Sequence, residues 1–365
     1  MKIIKTLLFL LSLSISVQGQ NDVLDSLQNL LRRTKNDTAR ISIYVEKTYA
    51  AEDTSTVLYS DTAIGLINKL LPKATGQTIT ELHRYSSNAF YFRSMYFANT
   101  EAYDTALYYL NSAMEKALLA KDNLQEARIL NDMGVCFYRK NELEKSIDFL
   151  SRSLSIREGL NDDVQLRNAY NNTAFIYKET GLIDQSLELN FKALALAEKD
   201  KDYSSTALSF NNIGQLYHKY LKDRTRALEY YNKGLAISER EGDKKGVSLV
   251  KNNIATLYAE QDNYKEAIKW FKESLQLRRE INYKYGIINT LSNLGYNYLK
   301  LSDYSNSRIA LAEALQRNEV LKDNNLQSTI HQKYAELYLA VGKTDSALYH
   351  ARLSHNINLG TGNPL

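Results

Sequence analysis

One spacing governs what this chain can fold into. Small residues stand at Gly134, Ala174, Gly214, Ala255, Gly295 and Ala335, forty or forty-one positions apart, and an aromatic follows each after three: Phe137, Tyr177, Tyr217, Tyr258, Tyr298 and Tyr338. A second small residue follows at Ser146, Ser186, Ala227, Ala267, Ser307 and Ala347, and a third seven positions further on, at Ser153, Ala193, Gly234, Ser274, Ala314 and Ser354. Seven residues are nearly two helical turns, so these two lie on one face of one helix, where small side chains let helices approach closely. The first small residue and its aromatic lie about 60° apart around a preceding helix and share its buried stripe. Each unit is therefore a helical hairpin. Short polar turns close the hairpins, such as RKNELEK at 139–145 and AEQDNYK at 259–265, and others join them, such as REGDKKG at 240–246 and REINYKYG at 279–286.

Upstream, Ser94, Phe97, Ala106 and Ala113 repeat the frame, and a weaker copy surrounds Ala63. This predicts about eight hairpins from Ala39 to Asn358, the first of them degenerate. Only two prolines, Pro72 and Pro364, interrupt 365 residues, and no Gly-rich stretch or run of alternating Val, Ile and Thr occurs, so the fold class is all-α without strands. At 44% hydrophobic and 24% charged, the chain is too apolar to be disordered.

The first residues, MKIIKTLLFLLSLSISVQGQ, carry lysines at 2 and 5, an apolar run from Thr6 to Val17, and small residues before a cleavage point after Gly19. That is the pattern of a cleaved secretory signal peptide, and its apolar run is shorter than the ~20 residues a membrane span needs. No cysteine sits near the cleavage point, so no lipid anchor is expected. The expected organisation is a signal peptide at 1–19, a lead-in helix at 20–38, the repeat array at 39–358 and a flexible tail at 359–365, in a periplasmic or secreted protein without membrane insertion. Loss of Lys2 and Lys5 takes the formal charge from +4 to +2, and basic residues interleave with acidic ones throughout, which argues against a nucleic-acid partner. Cys136, the only cysteine, makes no intrachain disulfide and reads as a small buried hydrophobe.

The recurring small, aromatic and small positions resemble the tetratricopeptide repeat in a roughly forty-residue form, over nearly all of the chain after the leader. Two features depart from that family's pattern: no unit has the proline that ends its second helix, and none has the tryptophan early in its first. The resemblance implies an α-solenoid, a right-handed superhelix whose first helices line a concave groove while the second helices lie outside, each hairpin burying its apolar face on its neighbours. A leader followed by DSLQNLLRRTKNDTARISIY at 25–44 and then such repeats also resembles the extracytoplasmic half of certain bacterial histidine kinases and regulators.

Two positions before each small residue the helical period points about 160° away from it, into that groove. The series there is Asp132, Asn172, Asn212, Asn253 and Asn293, with Lys333 closing it. Asparagine is a mediocre helix former, up to ~0.7 kcal/mol worse than alanine, so its recurrence asks for a reason. A primary amide donates to a backbone carbonyl and accepts from a backbone N–H, which suits an extended peptide. Phe175 and Tyr296 flank this series one residue after the small position, and Arg139, Lys219 and Lys300 five residues after it, so all ten belong to the expected peptide-binding groove. The competing explanation is that the amides tie neighbouring first helices together. The preceding series, Asn131, Asn171, Asn211, Asn252 and Ser292, flanks the buried stripe and is expected to bond the neighbouring helix.

No catalytic pattern is present. The histidines, at 83, 218, 331, 350 and 355, lack the four-residue spacing of paired metal ligands, and there is no HExxH, GxSxG or phosphate-cradling glycine loop. The expectation is a non-enzymatic scaffold or receptor that binds a peptide or protein segment, with no metal or cofactor. The alternatives are the sensory part of a signalling system and an all-helical hydrolase or transferase with an unrecognised site. Leu348, Leu353 and Ile357 in the last helix are expected to leave an uncapped apolar end, open to self-association.

Overall fold

The computed structural model describes residues 17–360 apart from 52 and 161; the expected leader, all but its last three residues, and the last five residues of the expected tail lie outside this range. Among the described residues there are helices, turns and one 3-10 turn, and no strand. The chain forms two compact units that divide between Thr180 and Gly181.

The first unit contains α1 (Val17–Arg33), α2 (Asp37–Ala50), α3 (Ser55–Leu70), α4 (Gln77–Asn99), α5 (Tyr103–Ala120), α6 (Asn123–Arg139), α7 (Leu143–Glu158) and α8 (Asp163–Glu179). The second contains α9 (Ile183–Lys199), α10 (Tyr203–Lys219), α11 (Arg224–Arg240), α12 (Lys244–Ala259), α13 (Tyr264–Glu280), α14 (Lys284–Lys300), α15 (Tyr304–Leu321), α16 (Asn324–Ala340) and α17 (Thr344–Asn358). Successive helices pair as hairpins, α2 with α3 through α6 with α7 in the first unit and α10 with α11 through α16 with α17 in the second, and each second helix packs on the next first helix. This is the all-α, solenoid-type arrangement that the repeats imply. The degenerate first hairpin is recognisable too, since Leu71–Lys73, with Pro72, forms the 3-10 turn before α4.

The small residues sit where helices touch. A methyl group at Gly134 would meet Leu150 Cγ at 2.7 Å, at Gly214 Tyr231 Cδ1 at 2.6 Å, and at Gly295 Leu311 Cγ at 2.6 Å. Leu150, Tyr231 and Leu311 are among the most deeply buried side chains of their hairpins, so glycine admits a large partner across the hairpin. The third small position is buried in every hairpin, and where it is serine the hydroxyl serves the packing: Ser153 Oγ donates to the Ala127 carbonyl at 2.6 Å and Ser274 Oγ to the Ser248 carbonyl at 2.7 Å.

Helix starts are held by a second periodic feature. Asp122, Asp162, Asp202, Asp243 and Asp323 precede first helices, and Asp223, Asn263 and Asp303 precede second helices; each side chain accepts a backbone N–H three residues on. Such a cap contributes about 1 kcal/mol. The hairpin turns enter the left-handed region at Asn141, Asp262 and Ser302, and at Gly342, where glycine takes that conformation without strain.

Candidate functional site: the face of the first helices

The residues singled out by spacing separate into two environments. In the first unit, Asp132 is half-buried on α6, where its carboxylate accepts from Asn131 Nδ2 at 2.9 Å. Burial lifts its carboxyl above the ordinary range, although Asn131, the Tyr91 phenol and two arginines oppose the shift. Tyr91 is driven well above the usual phenol range, first by burial and then by the Asp132 charge. Arg139 is exposed at the end of α6. On α8, Asn172 is exposed and its amide makes no side-chain hydrogen bond among the described residues. Phe175 is 52% exposed, with Tyr138 edge-on at 6.4 Å and the Lys178 ammonium 4.6 Å above its ring.

In the second unit the amides divide again. Asn212, half-buried on α10, makes no side-chain hydrogen bond among the described residues. Asn253 on α12 donates from Nδ2 to Asn211 Oδ1 at 2.8 Å, and Asn293 on α14 accepts at Oδ1 from Lys333 Nζ of α16 at 2.9 Å. Each bond joins two first helices. The tie expected of the preceding series is found at Asn252, whose Oδ1 accepts from Arg278 Nη1 and Thr290 Oγ1, both at 3.3 Å, but Asn253 and Asn293 take part in ties as well. Lys219 is exposed, and Lys300 is exposed with its ammonium 4.9 Å above the Tyr296 ring.

Asn293 and Tyr296 line a cavity of about 420 Å³ together with Thr256, Glu260, Asn297, Gln332, Lys333 and Glu336. Asn293, Tyr296 and Lys333 all belong to the asparagine series or the row flanking it, so the cavity opens on the face the repeat predicts. Two features of its wall went unseen in the sequence. The first is Lys333, which forms no ion pair among the described residues; burial pulls its amine down to about 8, and Glu336 opposes this only in part. The visible signal was a lysine standing where four units have asparagine. The second is the orientation of Glu260. His218, 2% exposed, lies between Tyr231 Oη, 3.3 Å from Nδ1, and Glu260 Oε2, 3.1 Å from Nε2. Burial lowers the basicity of this imidazole more than Glu260 raises it, so it is held as the neutral ring. The buried Tyr231 hydroxyl then donates to Nδ1 and Nε2–H donates to the Glu260 carboxylate, which fixes that carboxylate at the cavity wall.

Residues 165–240 and 246–319 match the tetratricopeptide repeat family model. These two stretches carry tetratricopeptide repeats. Solved structures of the same fold include aspartyl phosphate phosphatase F from Bacillus subtilis, 14% identical with a TM-score of 0.64, the alignment covering 97% of this chain and 98% of that one. A Rap protein complexed with competence and sporulation factor is 17% identical with a TM-score of 0.54, covering 94% and 98%. A tetratricopeptide repeat protein from Parabacteroides merdae ATCC 43184 is 15% identical with a TM-score of 0.54, covering 74% and 93%. A search of curated proteins returned no significant match. At these identities the likeness is one of fold.

Burial pushes the Cys136 thiol up to about 11, in keeping with the packing role expected of it. No group of three or more metal-ligating side chains occurs among the described residues, and none of their helices is long and apolar enough to cross a membrane.

Proposed function

We propose that this protein is a non-enzymatic interaction scaffold that binds an extended peptide or protein segment along the face carrying Asn212, Asn293, Tyr296 and Lys333. The observation that carries the reading is the cavity on that face: a half-buried ammonium that forms no ion pair among the described residues stands beside an aromatic ring and amides. A peptide backbone would use the amide of Asn212, which makes no side-chain hydrogen bond among the described residues, and an acidic group of the segment would pair with Lys333. Lys219 and Lys300, in the same unit, would read the segment's side chains. The Rap structure that holds competence and sporulation factor lends the reading support by fold alone. The phosphatase name belongs to a neighbour of 14% identity and brings no activity to this chain.

A photo-crosslinking amino acid placed at Asn212 or Tyr296, and for contrast at the exposed Gln276 on α13, tests the site in cells. One shared adduct at 212 and 296 that is absent at 276 is expected; adducts equal at all three positions would refute the groove. The leader pattern supports a site of action in the periplasm or outside the cell, and a tagged chain that stays full-length in the cytosol would overturn that part. Self-association through the last hairpin belongs to the same proposal. Leu348 is 50% exposed where Ile268, its counterpart two hairpins earlier, is 8% exposed, and a molar mass in light scattering that does not rise with concentration would count against it.

A further inference from the structure

We propose that Lys333 is a covalent capture site for small neutral aldehydes, its amine condensing with the carbonyl inside the cavity to form an imine. The inference rests on the chemistry of the cavity and stands whether or not a peptide binds there.

An ordinary surface lysine is a poor nucleophile at neutral pH because water, and commonly a carboxylate, keep it protonated. Lys333 differs on each count. Its Nζ donates to a neutral acceptor, Asn293 Oδ1 at 2.9 Å, and it forms no ion pair among the described residues. Glu336 lies on the next turn of the same helix, lines the same cavity, and has no ion pair with it. The surroundings are those of a desolvated amine: Lys333 is half-buried, the Tyr296 ring centroid is 5.9 Å from its ammonium, and Phe271 and Ala259 are among the cavity walls. A space of about 420 Å³ opens beside it, ample for a small molecule. The depressed basicity, to about 8, follows from this geometry, and at pH 7.4 it leaves roughly a fifth of the amine neutral against about a thousandth for a solvated lysine. Desolvation beside an apolar wall is one of the established ways of activating a lysine toward carbonyls.

The step balances without an oxidant or reductant. The amine nitrogen forms a bond to the carbonyl carbon, the carbon–oxygen bond breaks, and the oxygen leaves as water with the two hydrogens of the amine. A neutral aromatic aldehyde suits the site better than an anionic one, because Glu260 and Glu336 also line the cavity and Tyr296 offers a face to stack on.

The test treats the whole protein at pH 7.4 with limiting benzaldehyde, traps the imine with cyanoborohydride, and maps benzylated lysines by mass spectrometry. Lys333 is expected to carry the label in at least tenfold excess over the average of the other lysines. Asn293→Asp places a carboxylate against the amine, restores its basicity, and is expected to bring Lys333 to that average, while Lys333→Arg removes the favoured site. Label spread evenly, label concentrated on another lysine, or an excess at Lys333 that survives Asn293→Asp would each overturn the proposal. The wild-type map alone decides the first two, so a variant that folds poorly does not rescue it. A peptide that binds without blocking the label would refute the position proposed for the segment and leave the capture site standing.

Discussion

Replacing Asn253 with alanine is expected to cost stability, and replacing Asn212 is not, although the two occupy the same place in successive repeats. Asn253 Nδ2 gives its hydrogen bond to Asn211 Oδ1, an oxygen of a buried side chain. Removing the donor leaves that oxygen unpaired, at about 1–3 kcal/mol. Alanine recovers up to about 0.7 kcal/mol through its better helix propensity. With the full recovery the net loss is roughly 0.3–2.3 kcal/mol, and each kcal/mol lowers the thermal midpoint of a chain this size by about 2–4 °C. At Asn212 no hydrogen bond is lost, so only the propensity gain remains and the midpoint should move within about 0.5 kcal/mol of the parent. Thermal and urea denaturation of both variants, followed by circular dichroism, give the comparison. Equal losses, or a larger loss at Asn212, would refute the division of the amides into ties and free groups.

Other expectations follow from buried charge and close packing. Lys333→Met should stabilise the protein at pH 7 by about 1–2 kcal/mol, because the folded state holds an amine pulled to about 8 against an ordinary value near 10.4. Between those values the unfolded chain keeps a proton that the folded one has shed, so wild-type stability should rise with pH across that window, and the variant's denaturation midpoints should not. His331 is buried, its Nδ1 lies 3.0 Å from His350 Nδ1, and burial with the His350 charge pushes it down to about 4. Below its ordinary value near 6.5 the unfolded chain binds a proton the folded one refuses, so stability should fall as pH drops from 6.5 toward 4 by up to about 1.4 kcal/mol per unit, and His331→Asn should flatten a pH series of thermal midpoints. Gly295→Ala drives a methyl group to 2.6 Å from Leu311 Cγ and should cost about 1–3 kcal/mol in urea denaturation; pairing it with Leu311→Ala should recover part of that loss. Arg278 is 3% exposed and donates Nη1 to the Gly286 carbonyl at 2.8 Å and to Thr290 Oγ1 at 2.6 Å, with no carboxylate partner among the described residues, so Arg278→Met should change stability by less than Asn252→Ala, which leaves the guanidinium without one of its acceptors.

The repeat made the hairpins legible because each of its positions answers a packing need. Gly214 and Gly295 face a large side chain across their own hairpin, and Ser153 and Ser274 reach a carbonyl of the first helix, so the same residue types must recur at the same interval. The caps at Asp122, Asp162 and Asp202 were equally periodic in the sequence, but acidic residues in turns read as solvated surface until their partners are seen. The candidate groove was legible only as a face. Spacing places Asn212 and Asn253 on the same side of their helices; it does not record that the neighbour of Asn253 offers an acceptor at 2.8 Å. Lys333 and His218 were hidden for the same reason: what matters about each is a missing charge partner or a buried one, and neither is a property of a single repeat. The last hairpin is a mixed case. Leu348 is exposed as expected, whereas His355 stands exposed where Leu275 is buried two hairpins earlier, so that end is less apolar than Leu348, Leu353 and Ile357 alone suggested.

The most direct test of the groove is the selection of displayed random peptides on the wild-type protein, with the affinity of each selected peptide then measured on the double variant Asn212→Ala, Lys333→Met. Neither substitution is expected to weaken the fold, so a change in affinity reports the surface itself. Selected peptides are expected to share an acidic position and to bind the double variant about a hundredfold more weakly, each lost contact contributing roughly 1–1.5 kcal/mol. Failure to select any peptide, or selected peptides that bind the double variant as tightly as the parent, would contradict it.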